Sequence, residues 1–262
     1  MKSVRVGCVK YLNARPLIRG WPGDVEFDHP SALCERLAKG KLDVALVSSF
    51  EFLRNPIYRI VDDVSISSDG PVYSVVVAHR GELSDVEEIE LDPASETAAN
   101  LLRCLLAELG MTPRLTASDS DNSGLSRARL IIGDQAIKFR QDHANEYRFW
   151  DLGEEWKKLT GFPFVFALWL IRPEVPDAKS IAQRLRELRD ENLADIEAIV
   201  AEAMAAGSVN KEALTKEFLD DYYDEYLRFG FGIREKHGLQ TFADLCAKDG
   251  VLPKRASEFT VV

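Results

Sequence analysis

Apolar positions along this chain keep two alternating rhythms as far as Ile171 and a single rhythm after it. Short apolar runs predict strands at Val4–Val9, Asp43–Val47, Val72–Ala78, Ile89–Leu91, Leu130–Ile132 and Pro163–Ile171. Helical spacing fills the gaps. Pro30–Gly40 reads as a helix with Ser31 near its start and Gly40 just past its end. Asp92–Ser95 reads as a turn and N-cap, followed by a helix from Glu96 to Leu109 that Gly110 ends, and Glu154–Leu159 is a further helix. Beyond Pro173 and Pro176, Ile181, Leu185, Leu188, Ile196 and Ile199 recur at helical spacing in a long helix stopped by Gly207. The rest, through Phe242 and Leu245, also reads as helix, with Phe229–Gly232 as a turn.

Strands alternating with helices imply crossover units and a largely parallel sheet. The order of elements predicts an α/β protein of two lobes, the second inserted in the first. Residues 1–79 with 171–262 form one lobe and 80–170 the other. The chain is then expected to cross near Val75–Arg80 and return near Phe166–Ile171, leaving a hinged cleft. A single continuous sheet is the alternative.

Composition narrows the function classes. With 262 residues, 46% of them hydrophobic, the chain can bury a core without disulfides or a structural metal. A net charge of -10 repels phosphate backbones, so a nucleic-acid partner is not expected. No apolar run is long enough to span a membrane. The opening MKSVRVGCVKYLNARPL lacks the pattern of a secretory signal, and Cys8, Cys34, Cys104 and Cys246 form no paired motif. His29, His79, His143 and His237 show no metal spacing. A reduced, cytoplasmic protein without metal or cofactor is therefore expected.

Ligands of open α/β sheets bind beyond the carboxyl ends of strands. Here those corners carry Tyr11, Asn13, Arg15 and Pro16, then Ser48 and Ser49, then Ser95 and Thr97. Hydroxyls, an amide and free N–H groups at helix starts suit a small carboxylate. The same residues also cap helices without any ligand, and Asn13 itself suits an N-cap. No nucleophile elbow, phosphate loop or dinucleotide fingerprint occurs. The residues alone point to a two-lobed binder of a small carboxylate and leave open whether the ligand reacts.

The segments Val6–Leu17, Asp43–Ser49, Asp69–Val75, Ser95–Ala98, Ile132–Asp134, Asp151–Trp156 and Thr160–Ala167, with the tail from Tyr226 through Phe242, resemble the chorismate dehydratases of menaquinone biosynthesis by the futalosine route. The resemblance runs in order over nearly the whole chain. It implies the type II periplasmic-binding-protein fold with a helical C-terminal region. It also implies loss of water from chorismate to give 3-[(1-carboxyvinyl)oxy]benzoate. By resemblance, Asn13 and Ser74 are the expected catalytic contacts. Tyr11, Arg15, Ser48, Ser49, Ser95, Thr97 and Asp134 are the expected substrate-binding residues. The substrate's own side-chain carboxylate is the hypothesised base. Two alternatives share the fold: the sister enzyme that makes 1,4-dihydroxy-6-naphthoate, and a non-enzymatic small-carboxylate binding protein.

Overall fold

The computed structural model describes residues 4–93, 95–117, 128–205, 214–254 and 259–262. The chain opens with β1 (Val6–Cys8), a 3-10 turn (Leu12–Ala14), α1 (Arg15–Ile18), β2 (Val25–Phe27), α2 (Pro30–Ala38), β3 (Val44–Ser48), α3 (Ser49–Arg54) and β4 (Arg59–Ser68). The middle holds β5 (Val75–His79), β6 (Glu88–Leu91), α4 (Glu96–Glu108), β7 (Arg114–Ala117), β8 (Ala128–Ile132), α5 (Gly133–Asp142), β9 (Arg148–Asp151) and α6 (Leu152–Thr160). The last stretch is β10 (Phe164–Ile171), α7 (Ala178–Ala194), α8 (Ile196–Ala205), α9 (Lys216–Asp221), a π-turn (Tyr222–Tyr226) and α10 (Ile233–Lys248).

Two five-stranded sheets result, ordered β2-β1-β3-β10-β4 and β7-β6-β8-β5-β9. The single-sheet alternative is thereby excluded. Each sheet is mixed, not largely parallel: β1 pairs parallel with β2 and β3, whereas β10 runs antiparallel to β3 and β4. In the second sheet β6 is parallel to β7 and β8, and β5 is antiparallel to β8 and β9. The reason is the connection between lobes. β1, β3, β6 and β8 end at the cleft, as crossover strands must, while β5 and β10 arrive from the other lobe and so begin there.

That geometry also corrects the crossing points. Val75–His79 already belongs to the second sheet and Phe164–Ile171 to the first, so the passages lie at 69–74 and 152–163. Strands pair wherever apolar runs continue, and both expected crossings lie inside such runs. The hydrophobic pattern also gives no sign of β4, because Asp62 and Asp63 interrupt it. Asp63 adopts φ 61°, and Arg189 binds its carbonyl oxygen and its carboxylate. The inward Ser65 and Ser67 hydroxyls donate to the carbonyls of Gly230 and Arg228. Residues 228–230 thus run extended beside β4 and do not form a simple turn.

The long helix expected after Pro176 is two helices, broken at Asp195. Just before the break, buried Asn192 donates to the carbonyls of Pro16 and Arg19, tying α7 to α1. Gly207 lies outside the described residues. α10 packs on β10 in one lobe and on α4 in the other, so the tail bridges both. Among the described residues, no helix is long and apolar enough to cross a membrane.

Candidate active site

Between the lobes lies a cavity of about 70 Å³ lined by Tyr11, Asn13, Ser48, Ser74, Ser95 and Thr97. Val9, Leu46, Ile66, Val72, Ile132 and Phe166 supply most of its apolar wall. Six of the nine expected site residues therefore converge, from four separate stretches of chain. Among the described residues, the lining contains no Asp, Glu, His, Lys or Arg.

Asn13 sits inside the 3-10 turn after β1, so it caps nothing, contrary to the capping expectation. α1 instead follows Ala14, which makes no side-chain cap bond. The Asn13 Oδ1 atom is buried and has no hydrogen-bond partner among the described residues. A buried amide oxygen left unpaired costs about 1–3 kcal/mol unless a ligand meets it. Ser95 does both jobs that the sequence allows it: its hydroxyl accepts from Ala98 N–H at 3.1 Å, capping α4, and it lines the cavity. Ser48 and Thr97 hydrogen bond to each other across the cleft, and Thr97 Oγ1 also accepts from Phe50 N–H at 3.2 Å. The hydroxyl corner is thus assembled from both lobes.

Ser49, Arg15 and Asp134 are not in the cavity wall. Ser49 lies behind Thr97, 3.5 Å from its Oγ1, and donates to the Val165 carbonyl at 2.7 Å, pinning α3 to β10. Asp134, at the start of α5, accepts from Leu12 N–H at 2.9 Å across the cleft. Burial raises its carboxyl to about 6, against the pull of that N–H and of the Arg15 charge. Asp134 therefore serves the contact between lobes. Beside it, Gly133 has φ 60° and the Tyr11 ring lies 3.2 Å from where a side-chain carbon would stand, so glycine is required. Burial and the nearby Asp92 and Asp134 push Tyr11 up to about 12, so its phenol is neutral and a donor at physiological pH.

Several further residues around the site are not among the expected site residues. Asp151 ends β9 and accepts from Gly153 and Glu154 N–H at the start of α6, and from Val72 and Tyr73 N–H in the first crossing. One buried carboxylate therefore clamps both passages between lobes. Tyr73, at φ 64°, is held in the left-handed region just before Ser74. Arg140 lies over its ring at 4.1 Å. A side chain at Gly153 would meet Gly70 O and Ser68 Oγ at 2.7 Å, so the two passages touch. Behind the cavity, the π-turn brings Tyr222 to Ser74 Oγ at 2.8 Å and Tyr223 to the Leu12 carbonyl at 2.9 Å. The capping role of Asp151 has a local signal; the two tyrosines sit in a stretch that reads only as helix.

The sequence model described as menaquinone biosynthesis matches residues 4–248. A chorismate dehydratase from Thermus thermophilus is 32% identical, over 93% of this chain and 95% of its own length. Among solved structures, a protein from Archaeoglobus fulgidus superposes with a TM-score of 0.74 at 16% identity, covering 95% of this chain and 98% of its own. An alkanesulfonate-binding protein from Xanthomonas axonopodis reaches 0.72 at 16% identity, covering 99% and 97%. These two likenesses establish a periplasmic-binding-protein-like fold. The match over almost the entire chain, with the cleft it encloses, establishes that this chain belongs to the menaquinone biosynthesis family.

Proposed function

We propose that this protein is a chorismate dehydratase, a carbon–oxygen lyase that releases water from chorismate and leaves an aromatic 3-[(1-carboxyvinyl)oxy]benzoate. The observation that carries the reading is the cavity itself, a small, largely apolar pocket edged by neutral donors, with no charged side chain among the described residues of its wall. The reaction removes the proton on the ring carbon that bears the enolpyruvyl ether and expels the neighbouring hydroxyl. That proton is acidified by conjugation to the ring carboxylate, and aromatisation drives the loss of hydroxide equivalent as water. Such chemistry needs little from strong protein acids or bases. It needs two carboxylates held in place, charge stabilised as it spreads onto one of them, and water kept out.

Ser48, Ser95 and Thr97, with the N-terminal end of α4, suit one carboxylate. Asn13 and Ser74 face the reacting ring as uncharged partners. Tyr11, neutral at physiological pH, closes the side toward the second lobe and can donate. As the family resemblance suggests, the substrate's enolpyruvyl carboxylate takes the proton, which then leaves with the hydroxyl; the lack of a carboxylate or imidazole among the described residues of the wall supports this reading. We place this reaction in the cytoplasm, in keeping with four buried free thiols.

Incubation of the purified protein with chorismate tests the reading directly. An aromatic product one water lighter than the substrate, seen by ultraviolet absorbance and mass spectrometry, is expected. Tight binding of chorismate without any such product would leave a carboxylate-binding protein in place of an enzyme.

A further inference from the structure

We infer that Tyr222 is a positioning residue that aims the Ser74 hydroxyl proton into the cavity; the inference rests on the dehydratase reading. Tyr222 is fully buried, on a π-turn, an irregularity that recurs at functional sites. Its ring stacks on Phe218 at an interplanar angle of 15°. Its hydroxyl has a single hydrogen-bond partner among the described residues, Ser74 Oγ at 2.8 Å. A buried phenol must spend its proton on a partner, so Tyr222 donates and Ser74 accepts.

That settles where the serine proton can go. Ser74 is itself buried and lines the cavity. With one lone pair engaged by Tyr222, its O–H can point only toward the Val72 carbonyl, at a long 3.4 Å, or into the cavity. The Val72 carbonyl already accepts the Ser74 N–H at 2.7 Å, which leaves it a poor competitor. A ligand oxygen in the cavity is the better acceptor. The backbone holds this aim as well: Gly133 N–H donates to the Ser74 carbonyl at 2.8 Å. Donation from Tyr222 also polarises the serine O–H and makes it a stronger donor. Burial pushes the Tyr222 phenol far up, so it keeps its proton at physiological pH.

The test is a double-mutant cycle with chorismate as substrate. Tyr222→Phe keeps the ring and its stacking and removes only the donor. It is expected to lower kcat about tenfold, with a smaller change in KM and a melting temperature near that of the unchanged protein. In a Ser74→Ala background the same substitution is expected to cost nothing more, because the group it aims is gone. An unchanged kcat in Tyr222→Phe, or a full additional loss on top of Ser74→Ala, overturns the inference while leaving the dehydratase reading intact. Absence of turnover in the unsubstituted protein overturns that reading first, and the inference with it.

Discussion

The third strand of each sheet ends in a corner at the cleft, and both corners bond across the lobes with different chemistry. At the end of β3, Ser48 meets Thr97 of the other lobe and both hydroxyls edge the cavity. At the end of β8, the equivalent turn offers Gly133 and Asp134, and the carboxylate reaches away to Leu12 N–H. The strand order is the same in both sheets, so topology does not choose between these roles. Charge does. On the proposed function, a dianionic substrate would meet neutral donors at one corner and be repelled by a carboxylate at the other, which instead bonds across the lobes. One architecture thus carries neutral hydroxyls at one corner, the proposed binding corner, and a carboxylate at the other, the proposed closing corner.

The sharpest way to break this division is to exchange the chemistry. Ser48→Asp sets a carboxylate beside the substrate's own. At ~4 Å and an effective dielectric near 20, the repulsion is about 4 kcal/mol. That corresponds to a loss of about a thousandfold in kcat/KM. Activity close to that of the unchanged protein would show that the hydroxyl corner does not meet the negative end of the ligand. Next in size is Asn13→Ala. Losing one donor or acceptor to the transition state typically costs 10²–10³, so kcat is expected to fall on the order of 10²–10³. Because Asn13 caps nothing, its melting temperature should barely move. A lower melting point with near-normal kcat would demote it to structure.

A smaller effect belongs to the closing corner. With its closed-state value raised to about 6 from 3.8, Asp134 takes up a proton as the lobes meet. Closure is then most favoured below about 4 and loses ground as pH rises through 6. Affinity for an aromatic dicarboxylate should therefore weaken several-fold from pH 5 to pH 7. Asp134→Asn keeps an oxygen for Leu12 N–H and removes the titration, so its affinity should be flat over that range. The same slope in both proteins would disconnect Asp134 from closure. The smallest signal is in shape. A cavity of about 70 Å³ lies well below the roughly 300–1,000 Å³ of a ligand pocket, so the lobes must part to admit a substrate. Solution scattering should show compaction when product is added at saturation, about the passages at 69–74 and 152–163. Superimposable curves would remove the hinge.

Much of this arrangement is legible in the amino-acid sequence. Continuous apolar runs mark buried strands such as Val44–Ser48, and Ser95 three residues ahead of Ala98 marks the start of α4. Corners with Asn13, Ser48, Ser95 and Thr97 are recognisable because strand ends and helix starts are local signals. The uncharged character of the site is not legible there, because Arg15 and Asp134 stand at the same corners in the sequence and only the fold leaves them out of the cavity wall. β4 is not legible, since its polar serines find their partners on a segment more than a hundred residues away.

What only the tertiary structure decided is which way each corner residue turns and what stands behind it. Ser48 and Ser49 are neighbours of one type, yet one faces the cavity and the other pins β10. Both hydroxyls approach Thr97, and only the fold brings the Val165 carbonyl to Ser49 and leaves Ser48 at the cavity edge. Asp151 announces a helix cap, but its hold on Val72 and Tyr73 exists only once both passages lie side by side. Tyr222 reaches Ser74 across 148 positions of sequence. Hydrophobic rhythm is local and survives in the bare chain. The hydrogen bonds that orient a reacting group join segments brought together by burial of the two lobes and the tail, and those meet only in the folded protein.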